Sequence, residues 1–378
     1  MFICVCGVLD VSSGITSSYF HNIQIKITSF ILNLCNQIQL AMAPGRTDTT
    51  SSETILSTDD CPTNTKSVDK PKLYLLEQFP PAAVKHAESL FDVTPPTDPR
   101  VHEWRQEADA ILVRELVISR EDIEDAPKLR AIGKQGTGID IIDQDACAER
   151  NIPILNTPGV NAQSVAELVL TLTMAVAREV RSIAVRQASG EEVRKEHCCG
   201  TTMFGKPIGV VGMGAIGTAV ARIFQGAFQS TVYACDPFAP TDAWSDIRHV
   251  RVTSVEDMLS HVEMLTIHVP LNASTRGMIS LKQMKKMRKS AVLINVARCG
   301  IVNELDLANA LRNGLLFGAG IDCHEEEPPT LKRYSDLWDT GRVISTPHIG
   351  ATTADTQVET ATAAINRVHK YLMDRGSW

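Results

Sequence analysis

Pro207-Ile-Gly-Val-Val-Gly-Met-Gly-Ala-Ile-Gly217 is the stretch whose reading decides the fold. Its first five residues form a short apolar strand that runs straight into glycines at 212, 214 and 217, and then into a helix from Thr218 to Phe224. Gly212 permits a tight turn. Gly214 removes the side chain that would block a pyrophosphate, and Gly217 lets helix meet strand closely. The helix N-terminus then offers free N–H groups and a positive dipole end to phosphate. The next strand, Ser230 to Cys235, ends at Asp236, 24 residues after Gly212, where a carboxylate accepts hydrogen bonds from ribose hydroxyls. Strand before, helix after and acid at the next strand end turn a weak glycine pattern into a dinucleotide site. Asp236 would repel a ribose 2′-phosphate and no arginine follows it closely, so NAD is expected over NADP.

Outward from this turn, the chain alternates strand and helix. Upstream, strands are predicted at 72–76, 110–113, 129–133 and 153–155, with helices at 81–90 and 139–150 and one long helix from Val160 to Val185. Downstream, apolar strands at 290–297, 316–321 and 342–347 end at Arg298, Asp322 and His348. Repeated βα units of this size imply parallel sheets covered on both faces, so the expected class is α/β with two doubly wound lobes. A chain of 378 residues has room for both.

Composition narrows the function classes. The net charge of −7 gives no electrostatic reason to expect nucleic acid or an anionic membrane as partner. The most basic run, Lys282 to Lys289, reads as a solvated helix face. No run reaches 18 apolar residues, so no spanning helix is expected. Ten cysteines occur without CxxC or zinc spacing, which suits a reduced, cytoplasmic setting and no metal. Residues 1–41 lack the basic-then-apolar order of a secretory signal and the arginines of a mitochondrial presequence. Residues 42–70 are polar and Ser/Thr-rich. Residues 1–70 are therefore expected to be a disordered extension, or Met42 to be the start.

Chemistry should lie at the carboxyl ends of the strands. An arginine after a buried strand can grip a bound carboxylate with its planar fork. A histidine can protonate a carbonyl oxygen as hydride reaches carbon, and a nearby carboxylate raises its pKa. Grip, tuning and proton delivery are what reduction of a 2-oxo acid needs. Taken singly, Arg298 also reads as a surface ion pair, an acid of the 325–327 run as a loop residue and His348 as a cap.

Taken together, Gly212–Gly217 with Asp236, His268-Val-Pro-Leu271, Ile294-Asn-Val-Ala-Arg298, Gly320-Ile-Asp322 through Glu327-Pro-Pro and Thr346-Pro-His-Ile-Gly-Ala351 resemble the D-isomer-specific 2-hydroxyacid dehydrogenases. Gly133 to Asp140 and Asn156 to Glu167 are similar to the 3-phosphoglycerate dehydrogenase and hydroxypyruvate-glyoxylate reductase branch. The resemblance runs from about residue 71 to about 372. It implies a flavodoxin-like substrate lobe from 71–159 and 346–378, with a Rossmann NAD lobe, 160–345, inserted between. It implies Arg298 as substrate anchor and Glu327 as partner of the proton donor His348. Thr157, Ala215, Ile216, Val269, Val296, Ala297 and Asp322 are implied to join Gly212, Gly214, Gly217 and Asp236 around NAD, with Asp322 on the nicotinamide amide. Lys134, Gly136, Thr137 and Gly138 are implied to receive the small 2-oxo or 2-hydroxy acid through backbone N–H groups and the lysine ammonium. A homodimer built on the 160–185 helix is also implied.

Four departures from the family pattern stand out. Ala215 replaces a frequent arginine, Cys299 a frequent glycine and Lys134 an arginine. The chain ends about 30 residues after His348, so a C-terminal regulatory domain is not expected. A dinucleotide-sensing transcriptional corepressor is the alternative, but such proteins carry a tryptophan after the histidine motif and none stands near Ala351. The individual acid stays open among 3-phosphoglycerate, hydroxypyruvate, glyoxylate and branched types.

Overall fold

The computed structural model describes residues 70–374, so the expectations for residues 1–69 and for the last four lie outside the described residues. Two wholly parallel sheets organise the chain. The first contains β1 (Lys72–Leu75), β2 (Asp92–Thr94), β3 (Ala110–Val113), β4 (Ala131–Lys134) and β5 (Ile154–Leu155), ordered β2-β1-β3-β4-β5. The second contains β6 (Ile208–Val211), β7 (Val232–Cys235), β8 (His249–Arg251), β9 (Met264–Ile267), β10 (Val292–Asn295), β11 (Gly318–Ile321) and β12 (Val343–Ser345). Its order is β12-β11-β10-β9-β6-β7-β8. Both orders reverse once, which is the doubly wound pattern, and the crevice at each reversal is where ligands bind. β3, β4, β6, β9, β10 and β11 are buried at every residue, as sheets covered on both faces require.

The chain crosses from the first sheet to the second after β5 and returns after β12. Its last helix, Ala354–Asp374, buries Ala361, Ala364, Ile365, Val368 and Leu372 against Leu73, Leu75 and Leu112 of the first sheet. The two crossings touch where the Ser164 hydroxyl donates to the Gly350 carbonyl at 2.7 Å. His348 therefore sits on a crossing segment, between the sheets.

The long helix differs from expectation. It runs Ala162–Ala177, breaks, and resumes as Val180–Ala188. Glu179 takes a left-handed backbone (φ 54°). The segment after residue 198 packs on the break: Thr201 N–H donates to the Ala177 carbonyl at 2.7 Å, a carbonyl that a continuous helix would have used itself. Val165, Val169, Leu172 and Val176 are buried at the expected three- and four-residue spacing. Likewise the 139–150 helix begins only at Gln144, because the Asp143 carboxylate caps it by accepting from Ala146 N–H at 2.8 Å. In the basic run 282–289 the lysines are exposed while Met284 and Met287 are buried, a solvated face over an apolar one.

Candidate active site

The glycine turn lies at the reversal between β6 and β9. A Cβ on Gly212 would stand 2.6 Å from the His268 carbonyl oxygen, and its φ of +101° is one that side chains disfavour. A Cβ on Gly217 would stand 2.0 Å from the Gly212 carbonyl oxygen. Gly214 faces open space, and the helix Ala215–Phe228 that follows has no side-chain cap. Its first amides, with exposed Ala215 and half-buried Ile216, are left for a ligand. Asp236 leans across the turn, accepting from Met213 N–H at 2.9 Å and from Phe238 N–H at 3.0 Å. An uncapped helix start, an open glycine and an anchored carboxylate fit a dinucleotide. Sequence proximity missed Arg251, whose guanidinium donates to the carbonyls of Asp236, Ala239 and Pro240. Val269 flanks the turn, its Cγ1 3.1 Å from a Gly212 Cβ.

β10 ends in a braced corner. The buried Asn295 amide donates to the Arg298 carbonyl at 3.1 Å and its oxygen accepts from Ala297 N–H at 3.2 Å. Val296 and Ala297 are buried beneath it. Arg298 is thereby aimed at the first sheet, where its Nε donates to Asp140 at 3.0 Å. One terminal nitrogen donates to the Ala297 carbonyl at 2.7 Å, while the other lies against Gly138, where a Cβ would meet it at 1.8 Å.

His348 Nδ1 stands 3.1 Å from a Glu327 carboxylate oxygen. The other Glu327 oxygen accepts from His324 N–H at 3.0 Å. Glu327 raises the His348 pKa against the opposing effect of burial. Burial pushes Glu327 upward, but the bonds from His348 and the His324 amide outweigh it and hold the carboxyl below its usual range. Each group thus favours the other's charged form. His348 has a left-handed backbone (φ 60°), and Asp322 fixes the loop that carries it. The buried Asp322 carboxylate accepts from Thr346 Oγ1 at 2.6 Å, Ile349 N–H at 2.8 Å and Gly350 N–H at 2.8 Å.

At the end of β4, Lys134 is buried, and its ammonium donates to the Gln135 carbonyl at 2.7 Å. Burial lowers its pKa, with Glu115, Glu77 and Asp140 opposing and Arg298 adding to the fall. The loop offers fewer amides than the sequence implied. Gln135 N–H goes to the Val113 carbonyl, and Gly136 N–H goes to the buried Thr157 hydroxyl at 2.9 Å. Thr157 thus braces the loop, and the amides of Thr137 and Gly138 are the ones left open. The Thr137 carbonyl accepts from the Asn156 side chain. Burial, then Glu327, raises the pKa of the half-buried Cys299 thiol, which makes it a poor nucleophile. Among the described residues no His/Cys/Asp/Glu group is placed to hold a metal.

The family model for the NAD binding domain of D-isomer specific 2-hydroxyacid dehydrogenases matches residues 170–350. A hydroxypyruvate reductase of Thermotoga maritima is 34% identical over 70% of this chain and 85% of its own length. The chain belongs to the D-isomer specific 2-hydroxyacid dehydrogenase family. Other family members extend further. A D-3-phosphoglycerate dehydrogenase of Methanocaldococcus jannaschii is 33% identical over 80% of this chain and 57% of its own length. The chain spans about half the length of the curated D-3-phosphoglycerate dehydrogenases it matches. The NAD+-bound 3-phosphoglycerate dehydrogenase of Entamoeba histolytica has the same fold, with a TM-score of 0.66 and 26% identity over 81% of this chain and 96% of that one. The doubly wound α/β family fold explains why Arg298, Asp322 and His348 all follow strands of one sheet, with Arg298 reaching the loop after β4 in the other.

Proposed function

We propose that this chain is an NAD-dependent dehydrogenase of small D-2-hydroxy acids. One observation carries the reading: the Glu327–His348 pair and the Arg298 guanidinium follow strands of one sheet, near enough for their charges to act on each other, and Arg298 lies against Gly138 in the glycine loop of the other. Gly212, Gly214, Gly217, Ala215, Ile216 and Asp236 would hold NAD, with Val269, Val296, Ala297, Thr157 and Asp322 along its path. Bound NAD(H) supplies the hydride for reduction and accepts it in oxidation. The substrate lobe is read as 71–159 with 346–378, and the cofactor lobe as 160–345.

The residues divide the remaining work. Arg298, through the terminal nitrogen beside Gly138, grips the substrate carboxylate together with the open amides of Thr137 and Gly138. Lys134 adds a positive charge from below. Charged His348 holds a proton near the carbonyl oxygen and delivers it, and Glu327 keeps the imidazole charged and oriented. In oxidation, neutral His348 takes the proton back. Asp322 acts through the His348 loop, so its contact with a nicotinamide amide would use the single lone pair left to it.

His348→Ala is expected to cut turnover by roughly 10²-fold or more while NADH still binds, measured by nicotinamide absorbance and fluorescence. Near-normal turnover would remove His348 from the mechanism. A homodimer is part of the proposal. Val180 and Val185 on the helix Val180–Ala188 are each more than half exposed, apolar side chains that a second copy would cover, and sedimentation mass tests it. A cytoplasmic setting is supported by the described cysteines, all of them free thiols. No helix among the described residues is long and apolar enough to cross a membrane.

A further inference from the structure

The ends of β1, β3 and β4 lie side by side, and the loop after β3 is already occupied by an anion of the protein's own. The Glu77 carboxylate accepts from three successive amides: Arg114 at 2.5 Å, Glu115 at 2.9 Å and Leu116 at 3.1 Å. Consecutive N–H groups of this kind form a cradle for phosphate or carboxylate. Here the cradle is filled. Glu115 adds a second, exposed carboxylate beside it, and Asp140 adds a third on Arg298. The charges that act on Lys134 come from these acids and from Arg298.

A charge count around the substrate end follows. Lys134 and Arg298 bring two positive charges, and Glu77, Glu115 and Asp140 bring three negative ones. The Glu327–His348 pair adds nothing net. A 2-oxo monoacid adds one negative charge, which Arg298 and Lys134 meet. A phosphorylated 2-oxo acid adds about two more, because phosphate carries roughly −1.5 to −2 at neutral pH. That second anion would find the 114–116 amides taken, and the Glu77 and Glu115 carboxylates near enough to act on Lys134 would repel it.

The geometry points to a substrate without a phosphate: a short, unphosphorylated 2-oxo monoacid, discriminated from phosphorylated analogues by Glu77 and Glu115. This rests on the dehydrogenase reading and deepens it. The apolar side chains at the lip, exposed Leu116 and Val117, suit a neutral far end.

The test compares kcat/KM for NADH-dependent reduction of hydroxypyruvate, glyoxylate and 2-oxobutanoate with that for 3-phosphohydroxypyruvate. At least one unphosphorylated acid should exceed the phosphorylated one by about tenfold or more. Preference for 3-phosphohydroxypyruvate overturns the inference and leaves the dehydrogenase reading standing. No reduction of any acid overturns both. Glu115→Gln should shrink the unphosphorylated-to-phosphorylated ratio by about fivefold at low salt, with the change fading as salt rises. A ratio unmoved by Glu115→Gln would overturn the electrostatic assignment.

Discussion

Alanine placed at two glycines of the same turn, Gly214 and Gly217, should separate cofactor binding from folding. At Gly217 the new Cβ would meet the Gly212 carbonyl oxygen at 2.0 Å and Val210 Cγ1 at 3.2 Å. Both are fixed parts of the β6 turn, so the helix must retreat by about 1 Å to restore ordinary contact. Overpacking of this kind costs about 1–3 kcal/mol. At about 2–4 °C per kcal/mol, thermal unfolding should come about 2–12 °C earlier. The same retreat moves the uncapped amides that would hold a pyrophosphate. Weakening one or two charge-assisted hydrogen bonds, each worth about 1.5–3 kcal/mol, should raise the NADH Kd by about 10- to 100-fold. Gly214 is the control. Its backbone (φ −73°, ψ −167°) suits alanine, and a Cβ there meets nothing within 4 Å. Gly214→Ala should therefore melt like the parent, or slightly later, yet still lose NADH affinity. Differential scanning calorimetry and NADH fluorescence titration read the two effects. If Gly217→Ala melts and binds like the parent, or Gly214→Ala keeps full NADH affinity, the reading of this turn is refuted.

Glu327→Gln removes the group that raises the His348 pKa. Reduction needs charged His348, so activity is present below that pKa and lost as pH rises through it. The loss should begin at lower pH in the variant, and the rise of oxidation with pH should shift the same way; unchanged kcat/KM profiles would break the pairing. Gly138→Ala would put a Cβ 1.8 Å from the Arg298 terminal nitrogen. The guanidinium is a flexible end and swings aside, so the fold should survive while kcat/KM for the acid falls about 10- to 100-fold; an unchanged value would exclude Arg298 as anchor.

Much of this was legible in the sequence because strand ends carry their chemistry with them. The turn Gly212–Gly217, Asp236, Arg298, Asp322 and His348 each follow an apolar run whose period announces a buried strand. What escaped was pairing across the chain. Arg298 meets Asp140 from 158 residues away, and Glu77 meets the amides after β3 from 37 or more. No local pattern marks such partners, although Asp140 closes the segment Gly133 to Asp140. Arg251 was missed because it reaches the Asp236 carbonyl from the next strand. The helix break at Arg178–Glu179 was invisible for a similar reason. Its cause is a segment 20 residues on that packs against the helix end, and no glycine or proline marks it.

The position of His348 shows which force shapes the site. A left-handed backbone on a residue with a side chain costs about 1–3 kcal/mol. The local bond from His348 N–H to the Thr346 carbonyl at 3.0 Å does little to offset that cost. The buried Asp322 carboxylate offsets it, because it accepts three hydrogen bonds from residues 346, 349 and 350, each worth about 1.5–3 kcal/mol when one partner is charged. The bonds outweigh the strain, so the imidazole stays turned toward Glu327 with no substrate needed to set it. The same loop is the crossing from β12 to the last helix, and Ser164 on the other crossing holds its Gly350 carbonyl. A proton donor on the segment that crosses between two sheets is held from both sides, by Asp322 at the end of β11 and by Ser164 on the other crossing. That suits a reaction in which the cofactor rests on one sheet and the acid on the other.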